Sequence, residues 1–271
     1  MQNEPIKVVF LGDIIGKPGR DTCDLLIDEL NTKFNPDLLI ANGENLASGY
    51  GISRKVAKQM FLIGIDYFTG GNHILQVQDI EDWLVDEERV IIPANLSSFI
   101  HGHRLGVKKI RGKDIFIISL LGRLYLNLSD NPFIVVEETL KRDTVVNSDN
   151  PIIIVDFHAE ATSEKRAMFF QLDGKVSAVL GTHTHIPTAD GFVSDKGTAY
   201  ITDVGMVGSF DSVIGMEWKP SLEIFRTGRR IKLRPSHTQK RRLDGVYIEF
   251  SDDSGRALKF ERFTLYGEFK I

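Results

Sequence analysis

The stretch KVSAVLGTHTHIP, residues 175–187, runs from small and β-branched apolar residues into two histidines, His183 and His185, with one threonine between them. Val176 to Leu180 has the length and composition of a buried strand, and Gly181 follows it. Upstream, SEKRAMFFQLDG (163–174) has helical composition and a glycine stop. Before that, PIIIVDFH (151–158) is a second apolar strand, ending on His158. A strand, a helix and a strand in this order pair in parallel, with the helix on a face of the sheet. Residues just beyond such strands share one edge, the edge where ligands bind. The chain holds only seven histidines, so three of them at two successive strand ends need a reason.

The N-terminal part repeats the pattern. IKVVFLG (6–12) and DLLIAN (37–42) read as buried strands, and DYFTGGN (66–72) as a strand running into a loop. Helices are expected over 19–34, 52–64 and 77–87; the first places Cys23, Leu26, Ile27 and Leu30 on one face. The strand ends then carry Gly12-Asp13, Asn42-Gly43-Glu44-Asn45 and Gly71-Asn72-His73, and later His158-Ala159-Glu160 and Thr182 to His185. Carboxylates, amide oxygens and neutral imidazoles suit manganese, iron, zinc or cobalt. The set Asp13, Glu44, Asn45, Asn72, His158, His183 and His185 suits two ions better than one, since Glu44 has two oxygens that can bridge. In an extended segment residues i and i+2 point the same way, so His183 and His185 can reach adjacent ions. Taken singly, Asp13 could cap a helix, Asn42-Gly43 could be a turn and His158 a core histidine. Those readings would have to coincide at every strand end.

The rest of the chain supplies the frame. HRLGVKKIRGKDIFIISLLG (103–122) reads as two strands about Gly112-Lys113, and PFIVVEETLKRD (132–143) as a helix. From about residue 192 the expectation is mostly strand, including SLEIFRTGRRIKLRP (221–235) and a hairpin turning at Asp253-Ser254-Gly255. No repeat, low-complexity tract or linker interrupts 1–271, so one layered α/β domain is expected. With 271 residues, 42% of them hydrophobic, the chain can bury a large core. A formal net charge of −4 argues against a dedicated nucleic-acid coat. Glu4, Pro5 and Asp13 do not fit a secretory leader, and no apolar run approaches membrane-span length, so a cytoplasmic protein is expected. The single cysteine, Cys23, excludes an internal disulfide and a cysteine-based zinc site and reads as core. GDIIGKPG (12–19) is not a P-loop: three residues separate Gly12 and Gly16, and Pro18 stands where a Ser or Thr would bind magnesium. His101 and His103 follow no buried strand and read as surface residues.

The motifs GD, NGEN, GNH, DFHAE and GTHTH, in this order, resemble those of the calcineurin-like metallophosphoesterase superfamily, and within it the YmdB-like bacterial branch. GDIIGKPGR (12–20), PAN (93–95), LLGR (120–123), HAEATSEK (158–165) and KGTAYITDVGM (196–206) extend the resemblance over nearly the whole chain. It implies a four-layer α/β/β/α sandwich with a dinuclear metal site at the strand C-terminal edge. Asp13, Glu44, Asn45 and His185 would hold one ion. Glu44 would bridge to a second held by Asn72, His158 and His183. His73 would stay off the metals as general acid. Two departures from the wider superfamily, Ile15 where Asp-x-His is usual and Glu44 where Gly-Asp is usual, match this branch. They make the first position richer in oxygen, which favours iron or manganese.

The implied activity is hydrolysis of cyclic nucleotides, 2′,3′- or 3′,5′-cyclic, by a metal-bridging hydroxide. The alternatives are a metal-containing regulatory or RNA-binding protein, or a nuclease on longer RNA. The basic residues between Arg226 and Arg242 are the feature that would serve RNA. Arg123 could approach the substrate or form a structural ion pair. ASGYGISRK (47–55) could cap the site, and a homo-oligomer is left open.

Overall fold

The computed structural model describes residues 4–78, 80–126 and 128–269. Along the chain come β1 (Ile6–Ile14), α1 (Gly16–Phe34), β2 (Leu38–Asn42), α2 (Arg54–Leu62), β3 (Tyr67–Thr69), α3 (Glu81–Asp86) and β4 (Val90–Ile91). Next are β5 (Gly106–Ile110), β6 (Lys113–Leu121), α4 (Pro132–Leu140), α5 (Asp143–Val146), β7 (Ile152–His158), α6 (Thr162–Leu172) and β8 (Ala178–Thr182). The last part holds β9 (Phe192–Val193), β10 (Ala199–Ile201), β11 (Met206–Ser209), α7 (Trp218–Thr227), β12 (Lys240–Phe250) and β13 (Ala257–Glu268). These strands form two sheets, ordered β13-β12-β11-β1-β2-β3-β4 and β5-β6-β7-β8-β10-β9. β1, β2, β3 and β4 pair in parallel, as do β6, β7 and β8.

Period-two alternation explains the stacking of the layers. In β1, Ile6, Val8 and Phe10 join a core between the two sheets, while Val9 and Leu11 face a second core under the helices. In β7, Ile152 and Ile154 join the inter-sheet core, and Ile153, Val155 and Phe157 join a third, on the α4 and α6 side. Central strands buried on both faces therefore read as continuous apolar runs. The outcome is a four-layer arrangement of helices, sheet, sheet and helices. Cys23 lies in the core under α1, where burial pushes its thiol up to about 12.

The structure departs from expectation in a few places. SLEIFRT does not form a strand; it lies in the helix α7. Its end signals are helical, with Pro220 in the first turn and Gly228 in the left-handed conformation at φ 69° as the stop. Residues 229–234 then have no regular structure. The turn between β5 and β6 sits at Arg111-Gly112, both at positive φ, one position before the expected one. The helix expected over 77–87 covers Glu81–Asp86, and Asp79 lies outside the described residues. Among the described residues no helix is long and apolar enough to cross a membrane.

Candidate metal centre

The strand ends that carry polar residues come from both sheets and meet at one place. β1 delivers Asp13, fully buried. β2 ends on Asn42, whose side-chain oxygen accepts the Glu44 N–H at 3.1 Å and folds the chain back so that Glu44 turns inward. Beyond β3, the backbone N–H of His73 donates to Glu44 Oε2 at 3.0 Å. At Gly71, a β-carbon would overlap Glu44 Oε2 and His158 Nε2, so only glycine lets that strand end pass. From the second sheet, β7 ends on His158 and β8 on Thr182, just before His183 and His185. Both of the latter hold positive φ, 97° and 63°, a strained conformation for non-glycine residues that tends to mark functional sites.

Two overlapping triads of donors result. Asp13, Glu44 and His185 form one, and Glu44, His158 and His183 the other, with the ligand atoms of each lying within 4.8 Å of one another. The outward ring nitrogens are tied down. His185 Nδ1 donates to the Ile214 carbonyl at 2.9 Å, which leaves Nε2 toward Asp13 Oδ1 at 3.5 Å. His158 Nδ1 sits 2.9 Å from Thr182 Oγ1, which donates to Asp156 at 2.7 Å. His158 Nε2 then faces Glu44 Oε1 at 3.2 Å, Asn72 Oδ1 at 3.1 Å and His183 Nδ1 at 3.0 Å. One N–H cannot satisfy three acceptors, and such a convergence of lone pairs suits a cation. His183 Nε2 is held by Glu160 at 3.2 Å. Asn45 presents Nδ2 to Glu44 Oε1 at 3.1 Å and to His185 Nε2 at 3.4 Å; a half-turn of the amide exchanges its nitrogen and oxygen.

Electrostatics agree with the geometry. Burial alone would raise the Asp13 carboxyl, but His185, with His158 and His183, more than reverses this and holds it well below the usual range. Glu44 is lowered in the same way, against burial, chiefly by His158. Burial would lower His185, and Asp13 overcomes it, pushing the imidazole up to about 9. His158 is raised against burial by Glu44, whereas burial and then His158 push His183 down to about 3. Each carboxylate is lowered and its partner imidazole raised by their mutual attraction, and a cation bound there would compete with protons for the same lone pairs.

A cavity of about 400 Å³ opens beside the cluster, lined in part by Glu44, Asn45, His73, His183 and His185. His73 Nδ1 is buried without a hydrogen-bond partner, its ring 5.0 Å from that of Tyr50, which also lines the cavity. A family profile described as YmdB-like protein matches residues 9–263. The chain belongs to the YmdB-like family. It is 38% identical over 260 residues to the 2′,3′-cyclic-nucleotide 2′-phosphodiesterase of Bacillus subtilis, covering 96% of this chain and 97% of that one. The crystal structure of a Mycoplasma pneumoniae protein titled a novel phosphatase superposes with TM-score 0.90 at 36% identity, covering 99% of this chain and 95% of that one. A 5′-nucleotidase from Candida albicans, 15% identical, shares the fold at TM-score 0.52 over 97% of this chain and 51% of its own.

Within this YmdB-like chain, Asp13, Glu44, Asn45, Asn72, His158, His183 and His185 converge, and His73 stands beside them. Arg123 does not line this cavity; it borders a different one with Asn131, Phe133 and Glu164. His101 is exposed, and His103 is half-buried and bonded to the Val85 carbonyl at 2.9 Å. Sequence reasoning missed the supports. Asp156, fully buried, accepts from Asn42 at 2.9 Å, Thr69 at 2.6 Å and Thr182, and burial pushes its carboxyl up to about 6. Asp203 accepts from the Thr184 N–H at 3.0 Å, the Thr184 hydroxyl at 2.7 Å and Lys165 at 2.8 Å. An acid inside the apolar run PIIIVDF was the one visible signal for the first of these.

Proposed function

We propose that the chain is a metal-dependent phosphodiesterase that hydrolyses 2′,3′-cyclic nucleotides in a cytoplasmic, membrane-free setting. The observation that carries this reading is the pair of donor triads sharing Glu44, beside a histidine whose buried Nδ1 has no partner. The name of the B. subtilis relative supports the substrate class. In this reading Asp13, Glu44, Asn45 and His185 hold one cation, and Glu44, Asn72, His158 and His183 the other. Manganese or iron is the expected occupant, because the first position is rich in oxygen donors. When bound, the pair would lower the pKa of a shared water and offset charge on the phosphate oxygens.

The chain's own residues do the rest. Ile214, Thr182 and Glu160 fix the three imidazoles. Glu44, pinned by the His73 N–H, presents its carboxylate to both positions. His73 faces the cavity and gives a proton to O2′ as the P–O2′ bond breaks. One water enters, one P–O bond breaks, and a 3′-phosphate with a free 2′-hydroxyl leaves. The test is to load the protein with manganese and assay 2′,3′-cyclic AMP, 3′,5′-cyclic AMP and p-nitrophenyl phosphate, with a chelated control. Metal-dependent turnover with 2′,3′-cyclic AMP preferred is expected. Preference for the monoester, or turnover insensitive to chelation, would overturn the reading.

A further inference from the structure

Beside the donor cluster the cavity has an apolar lining that includes Ile214, Met216, Ile224, Phe225 and Leu233. Three of these come from α7 and the segment after it. That segment is anchored: the Glu217 N–H donates to the Arg234 carbonyl at 3.0 Å, and Met216 bridges to Pro235. Ile224, Phe225 and Leu233 thus line the cavity, and their neighbours in sequence carry charge. Arg226, Arg229, Arg230, Lys232 and Arg234 are all exposed. Among the described residues none of the five forms an ion pair. In a chain of net charge −4, five basic residues within nine positions are a local concentration of positive charge. Two aromatic rings on α7 are also open to solvent, Trp218 at 51% and Phe225 at 80%.

We propose that the site takes the 3′ end of a single-stranded RNA carrying a terminal 2′,3′-cyclic phosphate. The inference rests on the phosphodiesterase reading and names the substrate of that same site. A free cyclic mononucleotide carries one negative charge, which cations at the donor cluster already answer. Five further exposed cations on the segment that supplies part of the cavity lining are surplus to such a substrate and matched to a chain of phosphates. A 2′,3′-cyclic phosphate occupies O2′ and O3′, so further nucleotides attach only at O5′ and extend out of the cavity, where this segment can meet them. An apolar wall accepts any base face, and exposed Phe225 and Trp218 offer stacking to the next ones without reading their edges.

The test compares a hexaribonucleotide ending in 2′,3′-cyclic phosphate with 2′,3′-cyclic AMP on the full manganese-loaded chain. The hexamer should show a kcat/KM on the order of 10-fold higher at low salt, mainly through KM. Three phosphate contacts, at roughly 0.7 each for a single strand, give a log–log salt slope of about −2 for the hexamer. The double variant Arg229→Ala, Arg230→Ala should shrink the advantage and cut the slope to about −0.7, that of one remaining contact, while leaving 2′,3′-cyclic AMP turnover unchanged. Equal kcat/KM and equal salt dependence for the two substrates overturn this inference and leave the phosphodiesterase reading standing. Turnover of neither overturns that reading and this one with it.

Discussion

At Gly71 a β-carbon would run into the Glu44 carboxylate and the Nε2 of His158, groups shared by or belonging to the second triad. Gly71→Ala should therefore cost the second cation while the fold persists, read as loss of about one metal per chain by elemental analysis with an unchanged circular dichroism spectrum. Full metal content in that variant would contradict the packing. His73→Ala is the complementary case, since only its backbone N–H touches a ligand. Turnover should fall by about 10² to 10⁴ with metal content intact, the range of a lost general acid. A variant that loses its metals instead would make His73 a ligand. That these polar residues converge was legible from sequence because each lies at or within three residues of the end of an apolar strand, where a polar residue has few structural reasons to be. Asp156 and Lys165 were not, because a buried carboxylate or ammonium declares itself only through partners from distant segments: Asn42, Thr69 and Thr182 for one, Asp203 for the other.

At the scale of elements, the loop after β8 holds its strained histidines through Asp203, and Asp203 is held by Lys165 of α6. Lys165 Nζ donates to Asp203 at 2.8 Å and to the Thr182 carbonyl at 2.6 Å, with only 1% of its side chain exposed. Removing one partner of a buried pair leaves the other charge uncompensated, at about 3–5 kcal/mol. Lys165→Met should lower stability by that amount in urea unfolding; a change below about 1 kcal/mol would show that the pair does not brace the loop. Most of the strand and helix order through β8 was readable because two-sided burial makes parallel strands conspicuous, but the two-residue β4 and the four-residue α5 are too short to carry a pattern and were missed. α7 was not, because a short apolar run such as LEIF fits either period, and its decisive signals, Pro220 and Gly228, sit at its ends.

On the scale of the whole molecule, the two sheets bring their carboxyl edges together, and the charge gathered there couples stability to metal and pH. Without metal, the raised His185 contributes stability that is full below its ordinary value of about 6.5 and is lost as pH rises through about 9. The depressed Asp13 contributes stability present above about 3.9 and lost in stronger acid. The metal-free protein should be best supported by this pair between about pH 4 and 6.5. Cations compete with the same protons, so the gain in Tm on adding manganese should grow from pH 6 toward 9. Scanning calorimetry with and without manganese checks this; a gain independent of pH would place the metal elsewhere. That the site joins two sheets, not one sheet edge, was beyond the strand pattern, since the Asn42–Asp156 bond that ties β2 to β7 spans 114 residues. The central claim is that two cations share Glu44. Anomalous diffraction at the manganese edge, from crystals grown with manganese, tests it most directly. Two peaks about 4 Å apart, flanking the Glu44 carboxylate, are predicted. A single peak, or peaks away from Glu44, would contradict the account.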